Sequence, residues 1–367
     1  MSKLRDRKID VDRYDTDDDR EDGGKRAAQD AEVLRHFRIF KPPSAGFNAM
    51  TASDRELSVH GLPPRPNEST HPKLAAKWRR VADRHLEYIT PELRVNHSMR
   101  RGRLRNLTAK DEIPESELER FRDLVANPYT SDTFDTRKID FRTFFPETST
   151  NWSGAYVKRP KAEPLVSVTG EWTVPGVNPP SSAWNGKGYN DGTYLCGVWV
   201  GIDGTQGTND VMQAGTGSLC VVSGGKMTST SFFAWTEWFS LLSVTVANYP
   251  VQVGDLISCT VCAPFGTTHG TAMFNNLTTG ATTSIGINPP AGVSLAGNVA
   301  EWIVEDPSTS ANVPFPFPNY GSTHFYDCTA GSKNIELDLG SGTMIDLVDA
   351  KNNVISSALI ETNRTLF

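Results

Sequence analysis

Gln213, Glu237 and Glu301 are the side chains of this sequence most suited to chemistry, and the residues around each assign it a face. Successive residues of a β-strand point to opposite sides, so residues two apart look the same way. In Val198-Trp199-Val200-Gly201-Ile202-Asp203, the aliphatic Val198, Val200 and Ile202 belong to a core, which turns Trp199, Gly201 and Asp203 outward. Met212 and Ala214 go inward on either side of Gln213. Glu237 shares its face with Trp235 and Phe239, while Trp302 and Val304 leave Glu301, Ile303 and Glu305 on the side away from the core. If these strands neighbour one another in one curved sheet, Trp199, Gln213, Trp235, Glu237 and Glu301 line a common groove. Asp203, just before Gly204, suits a turn and a groove support equally well.

Such a set can do a definite kind of chemistry. A carboxylate can take a proton from water as general base and return it to a leaving amine. A carboxamide N–H can stabilise a developing oxyanion, worth about 3 kcal/mol for a well-placed donor. Two carboxyls, Glu237 and Glu301, could instead divide acid and nucleophile roles on a glycosidic bond. The pattern therefore admits an endopeptidase. The alternatives are a glycoside hydrolase or carbohydrate-binding module on a similar sandwich, and a catalytically inactive binding relative. Gln213 separates the first two, because a two-carboxylate glycosidase does not need it. Serine-nucleophile chemistry has no support, since Gly-x-Ser-x-Gly is absent. Cys259 and Cys262 have a two-residue gap but no second pair at metal spacing, so neither metal nor other cofactor is expected.

The elements that must position these residues lie in a body distinct from what precedes it. Residues 1–150 hold 29 basic and 27 acidic side chains, whereas 151–367 hold 8 and 16. The net charge thus passes from +2 to −8, and all five Cys, 25 of 30 Gly and seven of eight Trp follow residue 150. An acidic body argues against nucleic acid as partner. No run of about 18 apolar residues suggests a membrane span. The first 25 residues carry no apolar stretch and so no conventional secretory signal, which reads as cytoplasmic. The division expected is a disordered charged leader over 1–70, a helical region and linker over 71–148, and a globular domain over 149–367.

Within 1–70, Asp15 to Asp22 is largely acidic, and Lys41-Pro42-Pro43 and Gly61-Leu62-Pro63-Pro64-Arg65-Pro66 break helices; a short helix is allowed around 31–40. Leu74, Trp78, Val81 and Ile89 give Pro72 to Ile89 helical spacing, and a second helix is expected over Glu115–Asn127. Neither has enough apolar surface to stand alone, so both should be loose or docked on the body. After residue 150, short β-branched and aromatic runs alternate with Gly, Asn, Pro and Ser clusters every eight to twelve residues, and no ten-residue helical pattern is found. The fold class expected is all-β: a sandwich or barrel of antiparallel strands behind a partly helical, partly disordered leader. Expected strands include 166–174, 195–202, 210–214, 226–239, 242–247, 256–262, 271–276, 300–304, 324–329 and 344–347.

At these residues the chain resembles the glutamic peptidases of the eqolisin type. The matching stretches are Asn151-Trp152-Ser153-Gly154-Ala155, Val168-Thr169-Gly170-Glu171-Trp172-Thr173-Val174-Pro175 and Trp199-Val200-Gly201-Ile202-Asp203-Gly204. Gln213-Ala214-Gly215, Trp235-Thr236-Glu237-Trp238 and Ala300-Glu301-Trp302-Ile303-Val304-Glu305-Asp306 follow in the family's order. Ala214 and Phe239-Ser240 depart from the Gln-Thr-Gly and Tyr-Pro often found there. The resemblance implies a concanavalin-like sandwich of two antiparallel sheets, an acid-acting secreted endopeptidase, and a dyad of Gln213 and Glu301. It makes Trp199, Trp235, Glu237 and Asp203 substrate-binding or supporting residues, a polypeptide the substrate and the protein a monomer. From the +2 against −8 partition, the charged leader, whose densest basic cluster is Arg100-Arg101-Gly102-Arg103-Leu104-Arg105, admits three readings: an intramolecular mask over the acidic groove, a localisation or partner-binding tail, or an inert solvated extension.

Overall fold

The computed structural model describes residues 23–101, 104–107, 146–160, 163–263 and 269–367. Two large antiparallel sheets dominate them. One runs in the order Phe37–Ile39, Ala281–Ile287, Gly270–Asn276, Leu256–Cys262, Ser167–Thr173, Phe325–Gly331, Thr365–Leu366, Ile360–Thr362. The other runs Val354–Ser356, Thr343–Val348, Trp152–Lys158, Val299–Glu305, Gly192–Asp203, Val211–Ser223, Lys226–Trp238, Val244–Val246, Leu93–Val95. Alternation builds the sandwich between them. Val198, Val200, Ile202, Met212, Ala214, Trp302 and Val304 of the second sheet meet Val168, Trp172, Ile257, Cys259 and Val261 of the first in one buried cluster. All five cysteines are free thiols, so this core stands on apolar burial, worth about 25 cal/mol per Å².

The expected strands lie where the alternation puts them, with bounds that differ by a few residues: 195–202, 271–276, 300–304 and 344–347 are extended, 166–174, 226–239 and 242–247 are shortened, and Leu256–Cys262 has the expected bounds. The largest extension is Val211–Ser223, expected only to Ala214. Its continuation, Gly215-Thr216-Gly217-Ser218, is too small and polar to read as strand, yet it pairs residue by residue between two long neighbours. Among the described residues of the body, helix is confined to the 3-10 turns Ser181–Ala183 and Leu339–Ser341.

The leader departs from expectation. Disorder is expected over 1–70, but from residue 23 onward the chain carries helix α1 (Gly23–Leu34), strand Phe37–Ile39 and helix α2 (Asp54–Val59). The cause is long-range. Leu57 and Leu62 bury against Met273 on the outside of the first sheet, and Val33 buries with Val95 and Val244 at the edge of the second. Helix α3 (Pro72–Ala82) occupies the front of the expected 72–89 helix and ends at Asp83. The short strands Phe37–Ile39 and Leu93–Val95 each extend an edge of a body sheet. The expected helix over 115–127 lies outside the described residues. None of the described helices is long and apolar enough to cross a membrane.

Candidate active site

Strand register brings the singled-out polar residues into one line. Glu301 sits opposite Gly201, Gly201 opposite Gln213, and Gln213 opposite Glu237. Directly opposed residues of antiparallel strands share a face, so the line crosses four adjacent strands on the side away from the core. Tyr156 and Thr343 continue it beyond Glu301. Gly201 is the gap in the line. A Cβ there would lie 2.8 Å from the Trp199 ring and 3.3 Å from the Gln213 Cβ.

The Gln213 amide donates from Nε2 to Glu237 Oε2 at 2.8 Å, which fixes the amide with its oxygen free. That Oε1 and both Glu301 carboxyl oxygens are buried without a hydrogen-bond partner among the described residues. Unpartnered buried acceptors are rare in folded proteins and call for a reason. Burial pushes the Glu301 carboxyl well above the ordinary range, and the Asp203 charge adds to it. The Glu237 carboxyl is pushed up to about 8, chiefly by burial and then by Glu305, with Arg101 and the Gln213 hydrogen bond pulling it back.

Asp203 ends its strand in the left-handed region, φ 73°, which Asp tolerates better than most residues. Its carboxylate accepts the backbone N–H groups of Ala296, Gly297 and Asn298 at 2.8, 2.8 and 2.7 Å. It therefore anchors the chain just ahead of the Glu301 strand. Trp199 packs edge-on against Trp152 with ring centroids 4.9 Å apart, and its indole N–H donates to Glu305 at 3.1 Å. Trp199 and Trp235 are not open platforms: both are buried, with Trp152, Tyr156 and Ile303, in an aromatic layer over this face.

Leader residues lie in that layer too. Met99 belongs to it and Leu104 packs against it. The fully buried Arg101 ion-pairs with Glu305 at 3.3 Å, and its guanidinium lies 3.5 Å from the centre of the Trp235 ring. The Leu104 N–H donates to the Gly204 carbonyl at 3.1 Å, and the Arg105 N–H to Asn151 Oδ1 at 2.8 Å. The roles of Glu305, Gly201 and Trp152 were not assigned from sequence. Parity with Glu301 was the available signal for Glu305. A cavity of about 420 Å³ elsewhere, between α3 and the outside of the first sheet, holds none of the line's residues.

A buried carboxyl and a fixed carboxamide thus lie in register on one face of a β-sandwich, with glycine between them. Residues 150–366 match the model of the Peptidase A4 family, so the chain belongs to that family, the glutamic peptidases of the eqolisin type, and is a hydrolase of peptide bonds. It is 31% identical over 210 residues to aspergillopepsin-2 of Aspergillus niger, covering 55% of this chain and 71% of that protein. It is 31% identical over 149 residues to scytalidopepsin B of Scytalidium lignicola, covering 38% and 54%. Among solved structures, scytalido-glutamic peptidase with a transition state analog inhibitor is similar at 23% identity and a TM-score of 0.48, covering 59% of this chain and 96% of that one.

Proposed function

We propose that the protein is an acid-acting endopeptidase in which Glu301 is the general base, Gln213 stabilises the oxyanion, and the leader holds the site latent. The line Glu301–Gly201–Gln213–Glu237 carries this reading. With no side chain at Gly201, the carboxyl and the amide face each other across one strand; the Trp199 ring lies against that place, and a scissile carbonyl and a water would enter it once the leader has left. Glu301 takes the proton of the attacking water and delivers it to the leaving nitrogen. The second Nε2–H of Gln213, the first being held by Glu237, donates to the carbonyl oxygen as negative charge develops on it, while Oε1 can accept from the attacking water. Glu237 orients that amide through the 2.8 Å hydrogen bond. The glycosidase reading fits less well. Gln213, a residue that a two-carboxylate glycosidase does not need, lies between Glu301 and Glu237 and engages the Glu237 carboxyl by its 2.8 Å hydrogen bond.

Latency follows from protonation as well as from steric cover. A carboxyl whose proton is retained by burial cannot act as a base, and the layer that contains Trp199 and Ile303 also takes in Met99 and Leu104 of the leader. Departure of the leader returns water to the face and brings the Glu301 carboxyl down towards its ordinary range. The test is digestion of a denatured protein by the full chain at about pH 3 and pH 7. Cleavage at acid pH should fall by about 10²–10⁴ in Glu301→Gln and about 10²–10³ in Gln213→Ala, with both variants folded. Equal cleavage by all three proteins sinks the dyad. A leader shortened by deletion of residues 1–107 that leaves the neutral-pH rate unchanged sinks the latency.

A further inference from the structure

We propose that the body residues around the Arg101 guanidinium form a cation subsite that, once the leader has left, takes an arginine side chain of a polypeptide substrate. This rests on the peptidase reading above. Four body residues build the site, and each contributes a separate feature. Trp235 presents a ring face at 3.5 Å, the distance of a stacked guanidinium. Glu305 supplies the carboxylate at 3.3 Å. Trp199 holds that carboxylate in place through its indole N–H, 3.1 Å from the same oxygen. Gly197 makes the room: a Cβ there would come within 2.3 Å of the Arg101 Nη1.

None of these four belongs to the leader, so the site outlasts its present occupant. A planar guanidinium can stack on the indole and meet the carboxylate at once, whereas an ammonium is a point charge; arginine should therefore outrank lysine. The site is also in line with the dyad. Glu305 lies four residues beyond Glu301 on one strand and on the same face, roughly 13 Å along the sheet at about 3.3 Å per residue. An extended substrate covers that length in about four residues. The expected signature is thus an arginine at one fixed position, three or four residues from the scissile bond.

Two readouts test this in the full chain. In Arg101→Gly, N-acetyl-arginine amide at about ten times its Kd should raise Tm by about 3 °C. No rise is expected in the parent protein, in Arg101→Gly with Glu305→Gln, or with N-acetyl-norleucine amide. Arg101→Lys serves the same assay should the glycine variant not fold. Equal rises in parent and variant, or a rise that survives Glu305→Gln, overturn the subsite. In the second readout, cleavage sites in a denatured protein at about pH 3 should show the arginine enrichment, and Glu305→Gln should reduce it at least tenfold. Cleavage without enrichment overturns the subsite and spares the peptidase reading. Absence of any cleavage by the parent overturns the peptidase reading and the substrate assignment, and the thermal readout then judges the cation site by itself.

Discussion

A glycine decides whether the carboxyl and the carboxamide can cooperate. Gly201 needs no unusual backbone angle; its value lies in placing no side chain between Glu301 and Gln213, where the Trp199 ring already packs closely. Gly201→Ala would press a methyl against Trp199 and the Gln213 Cβ. Overpacking of this kind costs about 1–3 kcal/mol of stability. The loss in kcat/KM should be larger, at least tenfold, because the methyl enters the space of the reacting water. Parallel measurement of thermal unfolding and peptide hydrolysis checks this, and a variant that loses stability but keeps its rate would refute it. Parity arguments alone placed Gln213, Glu237 and Glu301 on one side of a sheet, and that much was legible in the sequence. Which residue faces which was not, because register depends on turns between strands far apart in the chain. The burial of Trp199 and Trp235 was illegible for another reason: Met99, Arg101 and Leu104, which help to cover them, come from about a hundred positions away.

Helix α3 shows how an element with little apolar surface of its own is held. Ala75 and Val81 are buried, and the helix lays Lys77 beside Glu171 at 3.7 Å with both side chains nearly inaccessible. Arg80 ion-pairs with Glu171 and Asp327 as well. Removing one member of a buried pair costs about 3–5 kcal/mol, whereas replacing the ion by an apolar side chain of similar volume is often neutral. Glu171→Gln should therefore loosen α3 from the body by about 3 kcal/mol, seen as accelerated hydrogen exchange over 72–82. Lys77→Met should leave that exchange nearly unchanged. The reverse order would show that apolar contact, not charge, docks the helix. Most strands of the body were legible because alternation and turn residues agree in them; Trp152–Lys158 and Ala281–Ile287 were not among those expected. Helix α3 was legible at its Pro72 start, but its docking surface was not, since Glu171 reads as an ordinary outward residue of a strand. The strands Phe37–Ile39 and Leu93–Val95 were missed because three residues carry too little pattern; the body edges they complete give them their structure.

Across the whole molecule, body and leader respond to acid in opposite senses. Glu237 and Asp306 have carboxyls pushed up to about 8 by burial and by Glu305, and Glu301 lies well above its ordinary range. A carboxyl whose folded pKa exceeds its unfolded value of about 4 contributes stability fully below that value and loses it as pH rises through the folded one. The body is accordingly firmest in acid and weakens between about pH 4 and pH 8. The leader's contacts have the other sign. Asp327 is held below its ordinary range by Arg80, Lys77 and Arg364 against the opposing effect of burial, so its contribution is present above about pH 4 and is lost as pH falls through the lowered value. Burial also lowers the Lys77 pKa, with Glu171 and Asp327 opposing it. Acid titration of the full chain should consequently proceed in two steps, α3 leaving while the sandwich stays folded; the cover over Glu301 has the opposite sign, because a carboxyl whose pKa falls when the leader departs holds that cover more firmly when protonated. Hydrogen exchange over 72–82 and 192–203, followed from pH 7 to pH 2, separates the two events. A single transition in which both segments open together would mean that leader and body unfold as one unit.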